Sequence, residues 1–279
     1  MSAFTPEEVA ALRRLVTLFP HKPLCLIGAS ALRALVESYW RNTRDLDIAV
    51  SVGVADLGKD FERRAGFVRH PRKEHEWLAP GGVSIDILPA SPDLVAAGEL
   101  VWPESQHVMS LVGFRLVFDS ASPVVVAPDL SIAVPALETI GLLKMVSFQD
   151  RPHERLRDLE DLSHLLQDFL AVEQRFDDDI IAAGVAYEDA SAYGFGRALA
   201  TRVNAGEAAM VRSFLSRLRD ENGSDLARML SVAPLAWNKD PEVALARLSA
   251  FERGIESSPN SSATRRGARS SAAEPGRAR

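Results

Sequence analysis

The segment Asp45-Leu46-Asp47-Ile48-Ala49-Val50 constrains this chain more than any other, because it sets two carboxylates into an apolar run. Strict alternation places Asp45 and Asp47 on one face of a strand and Leu46 and Ile48 on the other. Side chains two residues apart on a strand lie about 7 Å from each other, so the two charges repel unless a cation sits between them. Burying them unpaired is expensive. A divalent cation removes that cost, and its usual purpose is to hold the phosphates of a nucleotide. Acidic pairs at the same spacing occur at Glu74/Glu76, Asp177/Asp179 and Asp240/Glu242, where plain solvated surface is expected.

The residues just upstream fit the same reading. Leu24 to Ile27 forms a short apolar strand ending at Gly28-Ala29-Ser30, and an amphipathic helix is expected from Ala31 to about Trp40. A glycine after a strand lets backbone amides approach an anion. Ser30 at the helix start adds a hydroxyl where the helix dipole favours phosphate. A third carboxylate, Asp86, sits in Val83 to Leu88, a strand with alternating faces entered through Gly81-Gly82. On the face of the other two it would complete a metal site or take the proton from an attacking hydroxyl.

The rest of the chain supplies the frame. Thr5-Pro6-Glu7-Glu8 starts a helix that Pro20 stops, with Glu8 closing a capping box. Asp56 to about Gly66 reads as a helix. Phe67 to Arg72 and His75 to Ala79 read as strands joined by a basic, solvated turn. Shorter β-like runs follow at Phe114 to Phe118, Val124 to Val126 and Ile132 to Val134. From Pro135 the pattern is helical, with leucine-rich stripes on either side of Pro152 and helix starts at Asn204/Glu207 and Asp240-Pro241. The expected fold is therefore α/β, a mixed-sheet core over 1–134 followed by a mostly helical region over 135–256, with the site in the cleft between them. Residues 257–279 lack apolar periodicity and are expected to be a disordered basic tail.

Charge and composition narrow the setting. The net charge is -6, and the tail contributes five Arg against one Glu, so the remainder is more acidic still. That balance argues against a nucleic-acid coat protein. The single cysteine, Cys25, lies inside an apolar run, which points to a buried thiol and a reducing cytoplasm. No apolar stretch approaches the roughly 20 residues that span a bilayer. No signal peptide is visible at the N-terminus, and a cytoplasmic protein is expected.

The order hydrophobic-Gly, spacer, Asp-hydrophobic-Asp, then a lone Asp between hydrophobics resembles the signature of the nucleotidyltransferase-fold superfamily. More narrowly, Gly28, Ala31, Leu32, Arg33, Arg41, Thr43, Asp45, Leu46 and Asp47 resemble the first motif of the AbiEii-type toxin nucleotidyltransferases. Lys144, Arg151 and Arg157-Asp158-Leu159-Glu160-Asp161-Leu162 resemble a later one. Two departures are visible: the small polar residue falls one position late, at Ser30, and the spacer to Asp45 is slightly long. The likeness spans roughly residues 24 to 170.

That resemblance implies a Mg²⁺- or Mn²⁺-dependent transfer of a nucleoside monophosphate from an NTP to a hydroxyl. The acceptor would be an RNA such as a tRNA end, in a toxin–antitoxin or phage-defence setting with a cognate antitoxin as partner. Asp45, Asp47 and Asp86 would be the catalytic, metal-holding set, and Gly28, Ser30, Lys144 and Asp158 would bind the nucleotide. Bland alternatives stand beside this. Arg41, Thr43 and Arg44 could only fix the loop before the strand, and Arg157, Asp158 and Asp161 could form a structural ion-pair cluster. Two other functions compete: a small-molecule (antibiotic-type) nucleotidyltransferase, and a non-catalytic nucleotide- or protein-binding module on the same fold. Three clustered charges have no use in a module freed from catalysis, which argues against the last.

Overall fold

Thr5 caps the first helix as its sequence dictates. The Glu8 N–H donates to Thr5 Oγ1 at 3.2 Å and the Thr5 N–H donates to Glu8 Oε2 at 2.8 Å, opening α1 (Pro6–Leu18). The computed structural model describes residues 3–37, 39–43, 45–57, 66–220 and 222–257. Arg44, most of the helix expected from Asp56 to Gly66, and all of the basic tail beyond Ser257 lie outside the described residues; Val54–Leu57 is a 3-10 turn. The chain divides into two compact units, Met1–Asp161 and Leu162–Arg279.

In the first unit, β1 (Leu24–Ile27) runs into α2 (Gly28–Leu35) and returns as β2 (Asp45–Val50). A hairpin and a partner strand follow: β3 (Val68–Arg69), β4 (Glu76–Leu78) and β5 (Ser84–Pro89). After α3 (Pro92–Ala97), β6 (Glu99–Val101) and β7 (Val108–Ser110) form a separate two-stranded ribbon. Then come α4 (Phe114–Asp119), β8 (Ser122–Ala127), β9 (Leu130–Val134), α5 (Leu137–Asp150) and α6 (Leu156–Asp168), the last crossing the division between units. The main sheet has the order β3-β4-β5-β2-β1-β9-β8. It is mixed: β2 pairs parallel with β5 and β1 with β9, while the other neighbours are antiparallel. Leu46, Ile48, Ile85 and Ile87 are fully buried, so the face opposite the carboxylates is the one packed into the core.

Three local expectations change. Helix α2 starts at Gly28 and stops at Leu35, short of Trp40, because Tyr39, Trp40 and Arg41 turn away to donate hydrogen bonds to Asp161. The run at Phe114 to Phe118 is helical, not β. Phe114 and Val117, three residues apart, share one face and bury against Cys25, Ile27, Ala49 and Trp102. A short apolar run does not carry enough period to separate the two forms. Glu74 is buried, accepting from the N–H groups of Glu104 and Ser105, so it is not solvated surface.

Helical patterning begins at 135, yet α5 packs on α2 and α4 within the first unit. Most of its surface is buried, Lys144 included. The second unit is helical: α7 (Asp178–Ala182), α8 (Ala190–Ala200), α9 (Ala205–Leu218), α10 (Asp225–Val232) and α11 (Pro241–Glu256). There α8 and α11 approach closely at glycines, since a Cβ on Gly196 would stand 2.0 Å from the Phe251 carbonyl oxygen. Among the described residues no helix is long and apolar enough to cross a membrane. Cys25 is buried as expected, and burial pushes its thiol up to about 12.

Candidate active site

Register builds the site. In the parallel pair β2/β5, Asp47 stands opposite Asp86, and in the antiparallel pair β4/β5, Glu76 stands opposite Asp86. Three carboxylates thus line up across three adjacent strands on the face away from the core. On the other side of Asp47, β1 places Ile27 opposite it and leads directly into Gly28. Gly28 has φ +62°, and a Cβ there would lie 2.3 Å from Asp47 Oδ2, so only glycine leaves room for that carboxylate.

Ser30 has a different place from the one its sequence position suggests. It is fully buried; its hydroxyl donates to the Ile27 carbonyl at 2.9 Å and accepts from the Asp47 N–H at 3.1 Å. Both bonds stitch the first turn of α2 to the carboxylate strand. The side chain holds the Asp47 backbone in place, and Ser30 is not among the residues that line the cleft described below.

Lys144 and Asp158 come together with Asp161. Lys144 Nζ sits 2.8 Å from Asp158 Oδ1 and 2.8 Å from Asp161 Oδ2, all three side chains being buried. Burial disfavours the Lys144 charge, but the two carboxylates outweigh it and hold its pKa above the ordinary lysine value. Asp161 also takes a two-pronged bond from Arg41, at 2.9 and 2.7 Å, and one from the Trp40 indole at 3.1 Å. Arg41 thus fixes the loop before β2. Asp158 Oδ2 is buried without a hydrogen-bond partner.

A cleft opens over these groups, lined within the first unit by Gly28, Asp47, Asp86, Lys144 and Asp158. Asp45 is exposed at the head of β2 and stands outside that lining. Arg151 of the later motif also lines it, together with residues not foreseen: His75, Trp102, His107, Asp150 and Arg155. His75 Nε2 lies 4.0 Å from Asp86 Oδ2 and its ring lies against Trp102, 5.6 Å between centroids. The Gly81-Gly82 hairpin could have revealed His75, since its register brings the start of β4 beside Asp86.

Burial and repulsion from neighbouring carboxylates raise both members of the pair. Burial first, and then Asp45, pushes Asp47 up to about 6, although Lys144 opposes the rise. Burial and the neighbouring Asp47, Glu76 and Asp45 push Asp86 up to about 7. Burial, with Lys73 and Arg151 nearby, pushes His75 down to about 4, so its imidazole is neutral at pH 7. Among the described residues no three His, Cys, Asp or Glu side chains converge as a ready-made cation cage. The donor set nevertheless suits Mg²⁺, which binds through one or two carboxylates and completes its shell with water and substrate phosphates.

A stability profile checks these raised values. Between about pH 4, the ordinary carboxylate value, and about pH 7, the folded protein holds protons on Asp47 and Asp86 that the unfolded chain has released. These two groups therefore cost stability progressively as pH rises through that window. In chelator-treated protein, Asp47→Asn with Asp86→Asn is expected to flatten that part of the urea-unfolding profile against pH. An unchanged slope would contradict the raised values.

A family model described as nucleotidyl transferase AbiEii toxin, type IV TA system, matches residues 10–247. The chain belongs to the AbiEii family. It is accordingly a nucleotidyltransferase of the toxin–antitoxin kind, with a mixed α/β fold and a helical C-terminal region. No curated protein matches this AbiEii chain. Among solved structures it is similar to an antigenic nucleotidyltransferase-like protein from Paracoccidioides brasiliensis, at 12% identity and TM-score 0.40, covering 88% of this chain and 92% of that one. It is also similar to the Thermotoga maritima CCA-adding enzyme complexed with tRNA, at 18% identity and TM-score 0.34, covering 90% and 52%. A tRNA-processing enzyme matches at 15% identity and TM-score 0.32, covering 88% and 60%. The AbiEii chain spans about half and three-fifths of the length of these last two.

Proposed function

We propose that this AbiEii-family protein transfers a nucleoside monophosphate from an NTP to a hydroxyl on RNA, with a divalent cation held chiefly by Asp45 and Asp47 and with Asp86 acting on the acceptor. The observation that carries the reading is the in-register Asp47–Asp86 pair lining a cleft, both carboxyls raised by burial and by neighbouring carboxylates. Bound there, Mg²⁺ or Mn²⁺ would neutralise charge on the triphosphate and on the phosphoryl group in transfer.

The chain's own residues do the rest. Asp86, in register beside Asp47 on the neighbouring strand, accepts the proton of the acceptor hydroxyl. The freed oxygen attacks the α-phosphorus, the α–β phosphate bond breaks, and pyrophosphate leaves. Gly28 keeps the wall thin enough for the Asp47 carboxylate and the nucleotide to share the space, and Ser30 holds the Asp47 backbone in place. The Lys144–Asp158 pair forms the opposite wall, where the partnerless Asp158 Oδ2 accepts a hydrogen bond from the nucleotide. Family membership supports an antitoxin as partner.

Asp86→Asn tests the assignment. NTP affinity is expected to stay within a few-fold of the parent, while turnover falls at least roughly 10²-fold, the scale of a lost general base. Affinity by calorimetry and product by labelled NTP, measured on the same two proteins, separate the two effects. Parent-like turnover would remove Asp86 from the catalytic set.

A further inference from the structure

We propose that Arg155 is the phosphate clamp of this cleft, the side chain that grips the outer phosphates of the triphosphate and makes the site prefer it over a monophosphate. This rests on the nucleotidyltransferase reading above and adds the residue that reads triphosphate length.

The argument is one of available charge. The cleft is lined by the carboxylates of Asp47, Asp86, Asp150 and Asp158 and by the cations Lys144, Arg151 and Arg155. Lys144 is buried and already held by two carboxylates at 2.8 Å each, so it has little positive charge to offer a ligand. Arg151 lies 3.6 Å from Glu154. Arg155 has no hydrogen-bond or ion-pair partner for its guanidinium among the described residues, although it lines the same cleft. Its charge is felt by Asp47, which it lowers, and by His75 and His107, so it stands within electrostatic reach of those three residues of the cleft.

Its backbone is anchored at the start of α6. The Arg155 carbonyl accepts from the Asp158 N–H at 3.0 Å, and Asp158 is in turn tied to Lys144. A planar guanidinium on a fixed base matches two phosphate oxygens at once, which an ammonium does not. Pyrophosphate departs from the same contact, so the clamp also steadies charge on the leaving group.

The test uses the full chain with Mg²⁺ and a probe that carries no base, tripolyphosphate, compared with inorganic monophosphate by calorimetry. The parent is expected to prefer tripolyphosphate. Arg155→Ala should weaken tripolyphosphate binding at least roughly tenfold and erase most of the preference, with Arg155→Lys in between. NTP titrations should show the same loss, appearing in KM more than in kcat. Circular dichroism confirms folding, and Arg115→Ala, an exposed arginine outside the cleft, should bind as the parent does. Parent-like tripolyphosphate binding by Arg155→Ala would overturn the proposal and leave the nucleotidyltransferase reading standing. A parent that transfers no nucleotide and binds neither tripolyphosphate nor any NTP would overturn both.

Discussion

Asp45→Asn combined with Asp47→Asn is expected to lower nucleotidyl transfer by roughly 10³-fold or more, since a metal-neutralised transition state is worth several kcal/mol. The same double variant should lose the rise in melting temperature that Mg²⁺ or Mn²⁺ and NTP give the parent, because ligands that bind only the native state stabilise it. Without metal the sign reverses. Asp47 is raised to about 6 by burial and by Asp45, so its ionised form burdens the folded state at neutral pH. Amides at both positions remove that burden, and the chelator-treated variant should melt at or above the parent. Asp45 is exposed and Asp47 lines the cleft, so single variants should rank Asp47→Asn as the more damaging. A double variant that responds to metal and NTP like the parent would refute the site.

Asp161→Asn is expected to destabilise the fold by about 3–5 kcal/mol, the scale for breaking a buried ion pair. Asp161 is fully buried and satisfies Lys144, both prongs of Arg41 and the Trp40 indole. Burial alone would raise its carboxyl, but Lys144 and Arg41 hold it below the ordinary value. Removing the charge leaves two buried cations short of a partner. Lys144→Met in the Asp161→Asn background should cost less than Lys144→Met in the parent, because Asp161 is no longer left charged and unpaired and only Asp158 loses its cation. Urea unfolding of the four proteins in the cycle gives the coupling directly. Additive effects would show that Lys144 and Asp161 do not act as a pair.

The carboxylate strand was legible because alternation is a strong signal when charges interrupt apolar residues, and the structure puts Leu46 and Ile48 inside as expected. The capping boxes at Thr5 and Asn204 were legible for a similar reason: their chemistry is local. What local patterns could not supply was the partner across space. Nothing near Ser30 in sequence says that its hydroxyl is spent on Ile27 and Asp47, and nothing near Lys144 shows Asp161 arriving from the next helix. Trp40 ended outside a helix because Asp161, more than a hundred residues away in sequence, competes for its indole. His75 and Arg155 were hidden differently. Each sits in a basic, polar stretch of the kind that usually faces solvent, and only the cleft distinguishes them.

The central claim is nucleotidyl transfer, and the label position tests it most directly. The parent is incubated with Mg²⁺, bulk tRNA and each NTP labelled either at the α- or at the γ-phosphate. Transfer of the nucleotide predicts that α-label becomes attached to RNA, that γ-label leaves in pyrophosphate, and that Asp86→Asn loses the signal. Label on RNA from the γ-position, or no α-label on RNA with any NTP, would contradict it.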